Sequence, residues 1–161
     1  MKHTISVLVE NEFGVLTRIA GLFSGRGFNI ESLSAAPTLD PTLSRITIVT
    51  TGDDSIVEQI TKQLNKLINT IKVIDFTDED YVAREIAMIK VTAEAESRAE
   101  ILRMVDIFRG KVVDVSPRSY VIEITGNPSK VDALIELVRP LGIKELVRSG
   151  PVVIGRSHKG S

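Results

Sequence analysis

Residues 3–10 alternate, with Ile5, Val7 and Val9 on one side and Thr4, Ser6 and Leu8 on the other, which is the period of a half-buried strand. After Asn11-Glu12-Phe13-Gly14 the period changes. Val15, Leu16, Ile19, Leu22 and Phe23 recur at helical spacing, and Gly25 and Gly27 supply the stop, so a helix is predicted over 14–25. A second strand follows over 28–36, then a polar loop with two prolines over 37–44, then a third strand over 45–51 with Ile46 and Ile48 on one side. Ile56, Val57, Ile60, Leu64, Leu67 and Ile68 form one apolar stripe behind the capping candidates Asp53 and Asp54, and 71–77 closes the series as a fourth strand.

The same order then returns. Thr51-Gly52-Asp53-Asp54-Ser55-Ile56-Val57 opens the second helix, and Thr125-Gly126-Asn127-Pro128-Ser129-Lys130-Val131 opens the fourth. The later strands fall at 85–92, 111–116, 120–125 and 143–148 and the later helices at 97–108 and 129–141. Two copies of one βαββαβ unit are the economical reading. That order is the ferredoxin-like arrangement, an antiparallel four-stranded sheet covered on one face by two helices, so the expected fold class is α+β with two such units in tandem. Domains are expected at 1–77 and 84–161, joined by a solvated linker over 78–83 that opens with Asp78-Glu79-Asp80, and the tail is expected to fray beyond Gly155.

Composition narrows the function classes. A formal net charge of −1 with 25% charged residues of mixed sign provides no field for nucleic acid and no polybasic membrane patch. Nor does any apolar run approach the roughly 18–20 residues of a membrane span, so a cytoplasmic protein is expected. The absence of cysteine removes disulfides, thiolate metal sites and cysteine nucleophiles. The only histidines, His3 and His158, lie near the termini and are expected to be ordinary surface residues, which leaves few candidates for acid–base catalysis. Gly21, Gly25 and Gly27 end a helix instead of opening one after a strand, so they do not form a phosphate loop. RNA-binding modules of this topology stack bases on aromatic residues of the central strands, and 45–50 has none.

The polar residues that attract interest lie at Asn11-Glu12-Phe13-Gly14-Val15-Leu16. A helix N-terminus has unpaired N–H groups and partial positive charge, and Gly14 lets a carboxylate approach that backbone closely. Asn11 offers an acceptor for an ammonium or a donor for a carboxylate. The alternative is that Gly14 only makes the turn and Asn11 only caps it. Asn29 and Ile30 lie on the second strand, an edge in this topology, and 28–33 is too apolar for an exposed edge. Pairing two such edges about a two-fold axis builds an eight-stranded sheet and sets Asn29 and Ile30 of one chain near the 11–16 turn of the other.

On these residues the N-terminal unit resembles an ACT domain, a ferredoxin-like module that commonly binds amino acids at domain interfaces. The runs Ser6-Val7-Leu8-Val9-Glu10-Asn11-Glu12, Gly14-Val15-Leu16, Gly21-Leu22-Phe23-Ser24, Arg26-Gly27-Phe28-Asn29-Ile30-Glu31-Ser32-Leu33 and Asp40-Pro41-Thr42-Leu43-Ser44-Arg45 are similar to those of one family. It is the small regulatory subunit of acetolactate synthase, also called acetohydroxyacid synthase. The likeness extends to Ile107-Phe108-Arg109-Gly110 and Glu145-Leu146-Val147-Arg148-Ser149-Gly150 in the second unit.

The resemblance implies a chain without a catalytic site or cofactor of its own. It implies a large-subunit partner that uses thiamine diphosphate, Mg²⁺ and FAD to condense two 2-oxoacids, raised in activity by this chain and made sensitive to feedback inhibition by valine. Carried over by position, it places the effector turn at Asn11, Gly14, Val15 and Leu16 and the strand contribution at Asn29 and Ile30, with a homodimer through the ACT domain. Ala36 and Gln59 match nearby family positions tied to the valine response without direct contact, and Phe13 stands where the family often has a small residue. A stand-alone amino-acid sensor on the same module is the rival reading; as a transcriptional regulator it would normally carry a basic helix-turn-helix, and none appears.

Overall fold

The computed structural model describes residues 1–157, which divide into two units, one of Met1–Val82 with the described part of Val152–Ser161, the other of Ala83–Pro151. His158 lies outside the described residues. In the first unit the order is β1 (Lys2–Glu10), α1 (Val15–Gly25), β2 (Asn29–Pro37), β3 (Leu43–Thr51), α2 (Asp54–Asn65) and β4 (Thr70–Asp75). The strands pair antiparallel in the order β2-β3-β1-β4, so β2 is an edge. In the second unit β5 (Tyr81–Thr92), α3 (Arg98–Ile107), β6 (Lys111–Val115), β7 (Ser119–Gly126), α4 (Pro128–Val138) and β8 (Ile143–Arg148) repeat it as β6-β7-β5-β8. Both are ferredoxin-like α+β units.

The cores follow from the two periods. Ile5, Val7 and Val9 of β1 face Ile46 and Ile48 of β3, and the stripes Val15, Ile19, Phe23 of α1 and Val57, Ile60, Leu64 of α2 close over them. Each such side chain contributes about 1.5–3 kcal/mol when fully buried. The second core repeats the scheme with Ala87, Ile89 and Val91 against Ile122 and Ile124, under Ile101, Val105, Val131 and Leu134. The first Thr-Gly has a steric cause, since a Cβ at Gly52 would meet the branched Ile56 side chain at 2.9 Å; at Gly126 the nearest atom is the Cδ of the flexible Lys130, which can move aside. Asp53 caps α2 by accepting from the Ile56 N–H, and Asn127 caps α4 by accepting from the Lys130 N–H, each at 2.9 Å.

Four details depart from expectation. His3 is buried, with Nδ1 2.6 Å from Thr77 Oγ1 and Nε2 3.1 Å from the Gly52 carbonyl oxygen, because the alternation that buries Ile5 also turns His3 inward. Ile68 is exposed, since α2 stops at Asn65, where the Lys66 N–H bonds back to Gln63 and Leu64 and the helical period ends. The expected 78–83 linker is shorter, because β5 starts at Tyr81, whose ring packs edge-on against Phe76 with centroids 5.5 Å apart. Finally, β9 (Val152–Gly155) pairs with β5, whose first residues Tyr81 and Val82 belong to the first unit, and is grouped with that unit; Arg156 beyond it donates its N–H to the Asp80 carbonyl at 2.9 Å and pairs with the Asp80 carboxylate at 3.1 Å.

Candidate functional site

The turn from β1 to α1 is braced from the loop between β2 and β3. The Asp40 carboxylate accepts from the Thr42 hydroxyl at 2.7 Å and from its N–H at 2.9 Å, and the Thr42 carbonyl accepts the Asn11 N–H at 2.6 Å. These donations, the Thr42 hydroxyl first, hold the Asp40 carboxyl below the ordinary aspartate range. Asn11 also donates one amide hydrogen to the Pro41 carbonyl at 3.1 Å, and among the described residues its Oδ1 has no hydrogen-bond donor. Gly14, the residue before α1, has φ 84, the left-handed region that side chains avoid, and nothing lies within 4 Å of where a Cβ would stand.

No side chain caps α1, no acidic residue sits in its first turn, and the N–H groups of Leu16 and Thr17 take no acceptor among the described residues. This end therefore presents donors and partial positive charge to whatever lies beside it. Beside it is a cleft of about 230 Å³, whose walls include Asn11, Glu12, Val15 and Leu16 on one side and Ala35, Ala36 and Pro37 on the other. Glu10 and Ser44 also reach it. The cleft is bipolar, with backbone donors at the helix terminus and oxygen acceptors on Asn11 and the two glutamates. That polarity matches a zwitterion, whose carboxylate seeks the first and whose ammonium seeks the second.

Among the residues singled out from sequence, Asn11, Val15 and Leu16 line the cleft, with Val15 turned into the core and Leu16 half-exposed, while Gly14 makes the turn before α1 without lining it. Asn29 and Ile30 do not join them within one chain. Asn29 pairs with Thr51 whereas Pro37 pairs with Ser44, so Asn29 and the cleft stand at opposite ends of β2, about 26 Å apart at ~3.3 Å per residue. Among the described residues the exposed Asn29 side chain hydrogen-bonds only to Thr51 Oγ1, donating from Nδ2 at 3.4 Å. The walls at Ala35, Pro37 and Ser44 were not singled out from sequence, although counting the hairpin back from its loop would have placed them. Gln59, exposed on α2, is not among the residues lining the cleft. Among the described residues no three His, Asp or Glu groups are placed to hold a metal ion, and no helix is long and apolar enough to cross a membrane.

Residues 5–72 match the model of the ACT domain of acetohydroxyacid synthase small subunits, and 84–157 match that of the small subunit of acetolactate synthase. A probable acetolactate synthase small subunit of Archaeoglobus fulgidus is 57% identical over 99% of both chains. The chain belongs to the acetolactate synthase small subunit family. A small subunit of Aquifex aeolicus is 54% identical over 96% of this chain and 81% of its own length. Among solved structures, the small subunit of Thermotoga maritima acetolactate synthase superposes with a TM-score of 0.87 at 43% identity, covering 98% of this chain and 99% of that one. In this family the first unit is an ACT domain, and its β1–α1 turn is the part of the chain with the open donors just described.

Proposed function

We propose that this chain is the regulatory subunit of an acetolactate synthase, that it raises the activity of the catalytic large subunit, and that it confers feedback inhibition by valine bound between two copies of the first unit. It has no catalytic role in this reading. The large subunit performs the condensation, with thiamine diphosphate, Mg²⁺ and FAD on that partner, as the family resemblance implies.

The observation that carries the site is the split along β2. An unpaired apolar edge invites a second strand, and a two-fold axis through Leu33 pairs β2 antiparallel with its own copy. Residue 29 of one chain then stands opposite residue 37 of the other, at the rim of the cleft. Such a dimer completes the site from both sides. Valine's carboxylate takes the α1 N-terminus, its ammonium the acceptors near Asn11, and Asn29 with Ile30 of the partner copy closes over it. A ligand shared by two chains favours the paired state, which gives it a means of shifting an equilibrium that the large subunit senses.

Reconstitution tests the reading. With the large subunit of the same cell, acetolactate formation rises when the chain is added and falls when valine follows. No stimulation, or stimulation that valine leaves unchanged, contradicts it.

A further inference from the structure

We infer that Glu12 recognises the ammonium of the effector and that Asn69 holds Glu12 in position to do so; this rests on the effector cleft proposed above and adds the basis on which it takes an amino acid over deaminated analogues. Asn69 is 94% buried in the bend between α2 and β4, being 6% exposed. Its carbonyl accepts the Glu10 N–H at 2.9 Å, its Oδ1 accepts from the Arg18 guanidinium at 2.5 Å, and its Nδ2 donates to Glu12 Oε2 at 3.1 Å. A guanidinium only donates and a carboxylate only accepts, so the two partners fix which way the amide points.

The neutral amide between the two charges has a consequence. A direct ion pair between Arg18 and Glu12 would cancel much of the carboxylate's field, whereas the amide orients the carboxylate through one hydrogen bond and leaves its charge in place. Glu12 lines the cleft, and its Oε1 has no hydrogen-bond partner among the described residues. A primary ammonium brings three donors and a full positive charge, for which Glu12 Oε1 and Asn11 Oδ1 are two acceptors. A 2-hydroxy acid of the same shape brings one uncharged donor, and a 2-oxo acid brings none. The carboxylate end of all three ligands is the same, so discrimination among them falls to the acceptor end of the cleft, which holds Glu10 and Glu12 and where Glu12 is the carboxylate that Asn69 holds in place.

Calorimetric titration of the full chain with valine and with 2-hydroxy-3-methylbutanoate tests this. The unmodified chain binds valine at least about 10-fold more tightly than the hydroxy acid. In Glu12→Gln, which keeps the shape and the contact with Asn69, valine affinity falls about 10-fold or more while that of the hydroxy acid holds, so the preference collapses. Asn69→Ala lowers the preference in the unmodified background and changes it no further in the Glu12→Gln background, as expected of a residue that acts through Glu12. An equal loss for both ligands in Glu12→Gln overturns the assignment in favour of shape support alone, and unchanged valine affinity removes Glu12 from the site while leaving the cleft intact. Failure of the unmodified chain to bind valine overturns the cleft and this inference together.

Discussion

The turns that lead into α1 and α3 occupy the same place in the two repeats, and both leave the first backbone N–H groups of the helix without a side-chain cap. Their surroundings differ. At α1, Gly14 takes φ 84 with open space beside it, the first turn carries no acid, and Glu12 is tied back by Asn69. At α3, Ser97 takes an ordinary φ of −103, Glu100 sits in the first turn, and Glu94 and Glu96 are exposed just before it. Opposite Asn29 the second unit has Val112 and Val113. The same kind of backbone terminus stands beside a ligand-sized cleft in one repeat and among Glu94, Glu96 and Glu100 in the other. Duplication has kept the fold while the polar chemistry of the two turns diverged.

The strongest ionic feature of the second unit supports structure instead. Arg148 pairs with Glu85 and with Asp132, each at 2.6 Å, and Glu85 is buried. Partial burial works against the Arg148 charge, but Asp132 and Glu85 outweigh it and raise its pKa above the usual value. Arg148→Met strands a buried carboxylate and should destabilise the second unit by about 3 kcal/mol. If the two repeats have parted roles, valine affinity stays unchanged below the unfolding transition. Denaturant unfolding followed by valine titration checks both, and a lost valine site in a folded variant would break the comparison.

Next in size is Asn29→Ala, which removes a hydrogen bond to a charged ligand and should weaken valine inhibition about 10-fold or more, for about 1.5–3 kcal/mol, with stimulation of the large subunit retained. Unchanged inhibition would place the site elsewhere than at the β2 edge.

Gly14 separates stability from binding. Both Gly14→Ala and Gly14→Asp strain the left-handed position, by about 1–2 kcal/mol for alanine and less for aspartate, which tolerates that region and favours a helix N-terminus. Valine binding should rank the other way, with aspartate worse because its charge opposes the ligand's carboxylate. Thermal melts beside calorimetry read the two orders, and one common order for both quantities would reject the electrostatic account.

The smallest effect belongs to Asp40. Its carboxyl is lowered from the ordinary value by the Thr42 hydroxyl and N–H, so its bracing of the turn is fully present above the unfolded aspartate range and is lost only as pH falls through the lowered folded value. Valine affinity should therefore show no Asp40-dependent change between about pH 5 and 8, where an ordinary aspartate of pKa about 3.9 is already ionised. Comparing Asp40→Asn with the native chain across that range tests it, since a difference between them that varies with pH there would need another cause.

The strand and helix order, the repeat and the edge position of β2 were legible because periods of 2.0 and 3.6 are written locally in residues such as Ile5, Val7, Ile19 and Phe23. His3 followed the same alternation and was misplaced by its polarity, since Thr77 and Gly52, the groups that satisfy it, are distant in sequence. The run Val152-Val153-Ile154 reads locally as a strand, but its pairing with β5, far away in sequence, does not. At the site, Asn11 and Gly14 were visible as turn chemistry. The Arg18-Asn69-Glu12 relay was not, because Asn69 lies 57 residues from Glu12 and only tertiary folding brings the amide between the two charges.

The central claim is that each effector site takes its turn from one chain and its Asn29 from another, and complementation between two defective chains tests it most directly. Neither Asn29→Ala nor Gly14→Asp homodimers should bind valine tightly. A mixed dimer of the two unites an intact turn with an intact Asn29 at one of its two sites, so purified mixed dimers should recover one site of native affinity per dimer by calorimetry. If each site is built within a single chain, every chain in the mixture keeps its defect, and no tight binding will return.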